Sequence, residues 1–136
     1  MDDISEEKKD RVIETLSEKV KTGAFSIGLH SVGVFPSPNY IRVIWVGVKK
    51  GDENIHNLQK SIDECLLPIG FEKDSKFHSH FTLSRVKWID KEKLKELLKN
   101  YQNNGFGEFS VESIDVMKSE LKQRGPTYSM LKRIRI

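Results

Sequence analysis

At 136 residues the chain is long enough for one domain with a core of its own. With 37% hydrophobic and 32% charged residues it is too apolar for a disordered segment. It has no run of about 18 or more apolar residues, so no membrane-spanning helix is expected, and the charged start MDDISEEKKDR does not read as a secretory signal. The single cysteine, Cys65, has no internal disulfide partner and falls in an apolar helix pattern. A small core residue in a reducing, cytoplasmic setting is expected. The net charge of +3 is unevenly spread: the last 20 residues hold Lys118, Lys122, Arg124, Lys132, Arg133 and Arg135 against Glu120 alone. Such an end suits a phosphate-bearing partner, although on charge alone a solvated surface strand is the plainer reading.

Ser5, with Glu6 and Glu7 after it, predicts a capped helix start with acids at its positive end. Val12, Ile13, Leu16 and Val20 recur at helical spacing, so the helix runs roughly from Ser5 to Lys21 and ends by Gly23. FSIGLHSVGVF and YIRVIWVGVKK read as two strands joined at PSPN, which makes a hairpin. Ile55, Leu58, Ile62, Cys65 and Leu66 form the apolar side of a second helix, stopped by Pro68 and Gly70. A strand containing FHSHFTLSRVK follows. Asp90 caps a third helix with Leu94, Leu97, Leu98 and Tyr101 on one side, and NNGFG breaks it. EFSVESIDVMKSEL and TYSMLKRIRI read as two final strands around KQRGP. The order α-β-β-α-β-α-β-β does not alternate strictly, which favours an α+β fold with largely antiparallel sheets. No P-loop, dinucleotide fingerprint or paired Cys-x-x-Cys is present.

The histidine strand is the informative segment. Alternation predicts that Phe81 and Leu83 point into a core while His78, His80, Thr82 and Ser84 share the other face. Three readings fit that face. One histidine is partly buried and satisfied while the other is exposed; or His-x-His supplies two metal ligands, with the remaining ligands from elsewhere; or the face does acid–base chemistry. In the last case a histidine that titrates near neutrality moves a proton, and Thr82, about 7 Å along, holds a phosphoryl oxygen.

HFTLSR, His80 to Arg85, resembles the His-x-Thr-x motif of the two-histidine phosphoesterases, and within them the RNA 2',3'-cyclic phosphodiesterases, also called 2'-5' RNA ligases. GVFPSPNYIRVIWVGV is similar to the segment those enzymes carry before their second motif. FHSHFTLSRVK is similar to that motif, with Ser79 where the family often has Pro, and SELKQRGPTYSMLKRIRI resembles their C-terminal hairpin. The resemblance implies a two-lobed, duplicated α+β fold, with antiparallel sheets flanked by helices around a central cleft. It implies hydrolysis of a 2',3'-cyclic phosphate at an RNA end, with 2'-5' ligation as the reverse, by histidine acid–base catalysis without metal or cofactor. The implied partners are RNA with a 2',3'-cyclic phosphate or a 2'-5' linkage, transfer-RNA halves among them. His80 is the implied catalytic histidine, Thr82 holds the phosphoryl group, and Arg85 is a candidate substrate-binding residue. Arg85 would lie on the strand face opposite His80 unless a bulge or strand end turned it.

The family carries two such motifs, one per lobe, and this sequence has one. LHSVG around His30 has Val32 where Thr belongs. The opening helix is similar to the one that follows the first motif in relatives. The expectation is a single domain over residues 1–136 that starts after a strand–helix–strand segment on the order of 40 residues long. A sheet edge uncovered in that way would invite self-association. The alternative is an RNA- or phosphate-binding fragment impaired in catalysis by the lack of the first histidine motif.

Overall fold

The computed structural model describes residues 4–37, 39–88, 90–101 and 103–136. Pro38, in the expected PSPN turn, lies outside the described residues. Along the chain come α1 (Glu6–Lys19), β1 (Phe25–Ser37), β2 (Tyr40–Val48), α2 (Asp52–Leu66), a 3-10 turn (Leu67–Ile69), β3 (His80–Arg85), α3 (Lys91–Tyr101), β4 (Gly105–Val111), β5 (Ser113–Lys122) and β6 (Gly125–Arg135). By internal contacts the chain divides into two compact units. The first comprises Met1–Ala24, Asn57–Ser75 and Val111–Ile136, and the second Phe25–His56 and Lys76–Ser110.

In the first unit, the Ser5 hydroxyl accepts the Lys8 amide at 3.2 Å and caps α1, with Glu6 and Glu7 in its first turn. The apolar stripe read from the sequence then does its work: Leu16 and Val20 are buried, and Val12 and Ile13 are half-buried. α1 packs on β6 and on the 3-10 turn, where the Lys8 ammonium lies 4.7 Å from the centroid of the Phe71 ring. Leu58, Ile69 and Ile134 complete the buried set of this unit among the described residues. β5 and β6 form a two-stranded antiparallel sheet from Ser113↔Arg135 to Lys122↔Gly125. Arg133 donates two hydrogen bonds to the Asp115 carboxylate, at 2.9 and 3.1 Å, and holds that carboxyl below its usual range.

The second unit is built on a four-stranded sheet of order β3-β2-β1-β4. β1 and β2 form the expected hairpin, paired antiparallel from Leu29↔Val48 to Ser37↔Tyr40, and β3 pairs antiparallel with the far side of β2. Asp90 caps α3 by accepting the amides of Glu92 and Lys93 at 3.1 and 3.3 Å. α3 packs against β1 and buries Leu94, whereas Leu97 and Tyr101, expected on its core side, are largely exposed. Val46 of β2 is the other buried apolar residue of this unit among those described.

Two sequence expectations change. The strand expected over Glu108–Leu121 is two strands: β4 ends at Val111 beside β1, and β5 begins at Ser113 as the partner of β6. Among the described residues six strands therefore stand where five were read. Phe81 and Leu83, expected in a core, are 57% and 56% exposed. The reason is position: β3 is the edge of its sheet, every residue in it is exposed, and the helix that packs on this sheet contacts β1.

Gly33 sits opposite Trp45 in the β1–β2 ladder, and a Cβ there would overlap the six-membered ring of the Trp45 indole. Gly33→Ala is therefore expected to lower stability by about 1–3 kcal/mol through this overlap. Urea denaturation of the variant measures it, and an unchanged midpoint would contradict the packing described.

Candidate active site

The ladder between β2 and β3 assigns each side chain of the histidine strand to a face. Residues directly opposite in an antiparallel pair share a face. Gly47↔His80 and Trp45↔Thr82 therefore place His80 and Thr82 on the same side as Gly47 and Trp45, while Val46↔Phe81 puts Phe81 on the other. The pairing of His80 with Thr82 on one face, read from period two, is what the strand shows.

Past Thr82 the alternation shifts. Trp45 pairs with Thr82 and Ile44 with Ser84, so β3 carries one extra residue, Leu83, at a β-bulge. Ser84 opposite Ile44 moves to the face of Phe81, and Arg85 opposite Val43 returns to the face of His80 and Thr82. Two expectations of the regular strand are thereby overturned, Ser84 beside His80 and Arg85 behind it. β2 is regular against β1 from Val43 to Val46, so the shift belongs to β3.

His80 is oriented from two sides. Its Nδ1 lies 2.7 Å from the His78 carbonyl oxygen. A carbonyl only accepts, so Nδ1 carries the proton and Nε2 is left for chemistry: a lone pair in the neutral ring, an N–H in the protonated one. The ring stands edge-on to Phe35, with centroids 5.3 Å apart, and 6.5 Å from Trp45. Phe35 and Trp45 are themselves stacked at 5.1 Å. Sequence reading did not single out these two rings. The aromatic content of the hairpin was visible, but its register against β3 was not.

His78 lies in the segment before β3, its ring 5.8 Å from Phe35, 5.3 Å from Trp45 and 6.2 Å from His80. Between the two histidines Ser79 is buried and donates its hydroxyl to the Asp52 carboxylate in the first turn of α2. His30 is in β1, opposite Gly47. Among the described residues no group of three or more His, Cys, Asp or Glu side chains is arranged to hold a metal ion.

Comparison with known proteins bears on what such a face does. The LigT like phosphoesterase profile matches residues 46–128, which include β3 and its motif. The chain belongs to this family. Its relatives include the RNA 2',3'-cyclic phosphodiesterase of Methanocaldococcus jannaschii, 38% identical over 130 residues, covering 95% of this chain and 74% of that protein. The enzyme of the same name from Archaeoglobus fulgidus is 37% identical over 130 residues, covering 96% of this chain and 72% of that protein. Among solved structures, Escherichia coli LigT complexed with 3'-AMP superposes with a TM-score of 0.71 at 20% identity, over 98% of this chain and 71% of that one. A Thermus thermophilus protein does so with a TM-score of 0.68 at 24% identity, over 98% and 72%. The LigT-like fold is thus the fold of this chain, α+β with antiparallel sheets and flanking helices.

The hydrogen bond to His78 makes a statement about His80 that can be read without substrate. In its neutral form His80 is expected to be the Nδ1–H tautomer, identified by the ring nitrogen shifts in long-range 1H–15N spectra. An Nε2–H tautomer would remove the orientation argued above.

Proposed function

We propose that this chain hydrolyses the 2',3'-cyclic phosphate at an RNA end, and that His80, Thr82 and Arg85 carry the chemistry. Membership in the family supports the reaction. The observation that carries the residue assignment is the single face on which the three lie together, two by alternation and the third through the bulge at Leu83.

Hydrolysis forms a bond from water oxygen to phosphorus and breaks one from phosphorus to a ribose oxygen. A base accepts the proton of water and an acid gives one to the departing oxygen. His80 performs one of these transfers through Nε2. Thr82, on the same face about 7 Å along, donates its hydroxyl to a phosphoryl oxygen. Arg85 is always charged and presents paired donors, so it suits the charge that builds on the phosphoryl oxygens as the bond breaks. The strained five-membered ester supplies its own driving force, and no nucleotide cofactor enters. With a 5'-hydroxyl in place of water as the nucleophile, the same ring opening forms a bond from the 5'-oxygen to phosphorus, breaks the one from phosphorus to the 3'-oxygen and gives a 2'-5' linkage. Transfer-RNA halves that end in a cyclic phosphate belong to the substrate class. No helix among the described residues is long and apolar enough to cross a membrane, and the lone, half-buried thiol of Cys65 accords with a cytoplasmic setting.

In a variant series on an oligonucleotide ending in a 2',3'-cyclic phosphate, His80→Ala is expected to lower kcat/KM by about 10²–10⁴-fold. Thr82→Ala and Arg85→Ala are expected to lower it by smaller factors, and the wild-type rate to survive EDTA. Full activity in His80→Ala would end this reading. Loss in EDTA restored by zinc would move it to a metal mechanism.

We also propose that copies of the chain associate through the β5–β6 hairpin. This is a two-stranded sheet among the described residues, and Met117, Leu121, Tyr128 and Met130 on it are 50–87% exposed. Sedimentation velocity over a range of concentrations is expected to show a weight-average mass that rises with concentration. A constant monomer mass would exclude the association.

A further inference from the structure

The second unit contains a histidine cluster that the proposed chemistry does not use. A pocket of about 570 Å³ is lined by His30 of β1, Lys49 just beyond β2, Asp52 and His56 in α2, and His78 and Ser79 before β3. Three of the four histidines of the sequence therefore meet in one place, although they are 48 positions apart from first to last.

Each of the three rings has Nδ1 engaged. His56 Nδ1 lies 2.9 Å from the Asp52 carbonyl oxygen, and His78 Nδ1 lies 3.0 Å from that of Ser79. His30 Nδ1 shares a hydrogen bond with the Ser31 hydroxyl at 2.7 Å. Nε2 is the nitrogen left to a ligand in all three. The one carboxylate of the lining, Asp52, accepts the Ser79 hydroxyl and lies 3.3 Å from His56 Nδ1, so its charge is engaged in holding the wall together. Lys49 is the cationic residue of the lining. A cation is disfavoured by that ammonium, and no three of these side chains surround a metal position among the described residues. An anion meets this positive charge and the Nε2 atoms of up to three imidazoles, which donate to it wherever they carry a hydrogen.

We infer that this pocket binds the internucleotide phosphate one nucleotide upstream of the RNA end. The inference rests on the proposed function for the identity of that end. The link between the two places is His78. It lines the pocket, and its ring centroid is 6.2 Å from that of His80. A strand whose terminal phosphate is at His80 carries its next phosphate to the side of His78. The site thereby distinguishes an RNA chain from a cyclic mononucleotide, which has no second phosphate to place there.

The test uses the whole chain and the dinucleoside monophosphate ApA, which has one internucleotide phosphate and no cyclic phosphate. The ring Cε1–Hε1 resonances of the four histidines are followed during titration with ApA and, separately, with adenosine. ApA is expected to move His30, His56 and His78, and adenosine to leave them in place. Lys49→Ala and His56→Ala, neither of them in the proposed catalytic set, are each expected to weaken ApA binding by about tenfold. In turnover they raise KM for an oligonucleotide cyclic phosphate by a similar factor and leave a cyclic mononucleotide unaffected. Equal shifts with adenosine, no shift with ApA, or an equal fall on both substrates would each overturn the inference. A wild-type chain that hydrolyses neither cyclic phosphate but shows the ApA shifts would refute the proposed function and uphold the pocket.

Discussion

The antiparallel ladder between β2 and β3 is the constraint on which the rest of the candidate site depends. Among the described residues β3 is an edge strand with a single neighbour, and none of its side chains is buried. Its position rests on backbone hydrogen bonds to β2 rather than on a core of its own. Gly47, Trp45 and Val43 stand opposite His80, Thr82 and Arg85, so β2 acts as the ruler that spaces the three. The bulge at Leu83 is part of this ruler. In a regular strand, positions 80 and 85 fall on opposite faces. One extra residue brings them onto the same one and leaves Phe81 and Ser84 on the other.

How much of this could be read from the sequence follows from the same ladder. His80 and Thr82 are two apart with no irregularity between them, so period two alone put them together. Arg85 lies beyond the bulge, and nothing in the residue types of TLSR marks Leu83 as the extra residue. The register against Ile44 and Trp45 decides it. The exposure of Phe81 and Leu83 was hidden for a related reason: alternation says which residues share a face, not whether anything covers it. The helices were more legible, because Leu16, Val20, Leu58 and Leu94 are buried where a stripe of helical period placed them. The division of the fourth strand from the fifth did leave a trace. The apolar phase runs on odd positions at Phe109 and Val111 and on even ones at Ile114 and Val116. That slip falls at Glu112, where β4 ends and β5 has not begun. The gathering of His30, His56 and His78 left no such trace, since the three come from β1, α2 and the segment before β3.

The shape of the His80 face is set by what β1 and β2 leave out. Gly47 stands opposite both His30 and His80, and a Cβ there would come within 2.9 Å of the His30 carbonyl oxygen and 3.2 Å of the Trp45 ring. Gly33 stands opposite Trp45 and gives the indole its place. With a side chain at either position the indole would be displaced toward Phe35 or the histidines, whose rings lie 5.1–6.5 Å from it. The indole Nε1 is buried without a hydrogen-bond partner among the described residues, an arrangement that typically costs about 1–3 kcal/mol. The fold accepts that cost at a residue whose ring meets those of Phe35, His78 and His80. Two glycines and an unsatisfied indole thus hold an aromatic floor under His80, while the His78 carbonyl fixes which ring nitrogen faces away from the backbone. An exposed histidine on an edge strand would otherwise sample several rotamers. Here its ring is limited by aromatic contact and one hydrogen bond, which is the preorganisation that the proposed proton transfer requires.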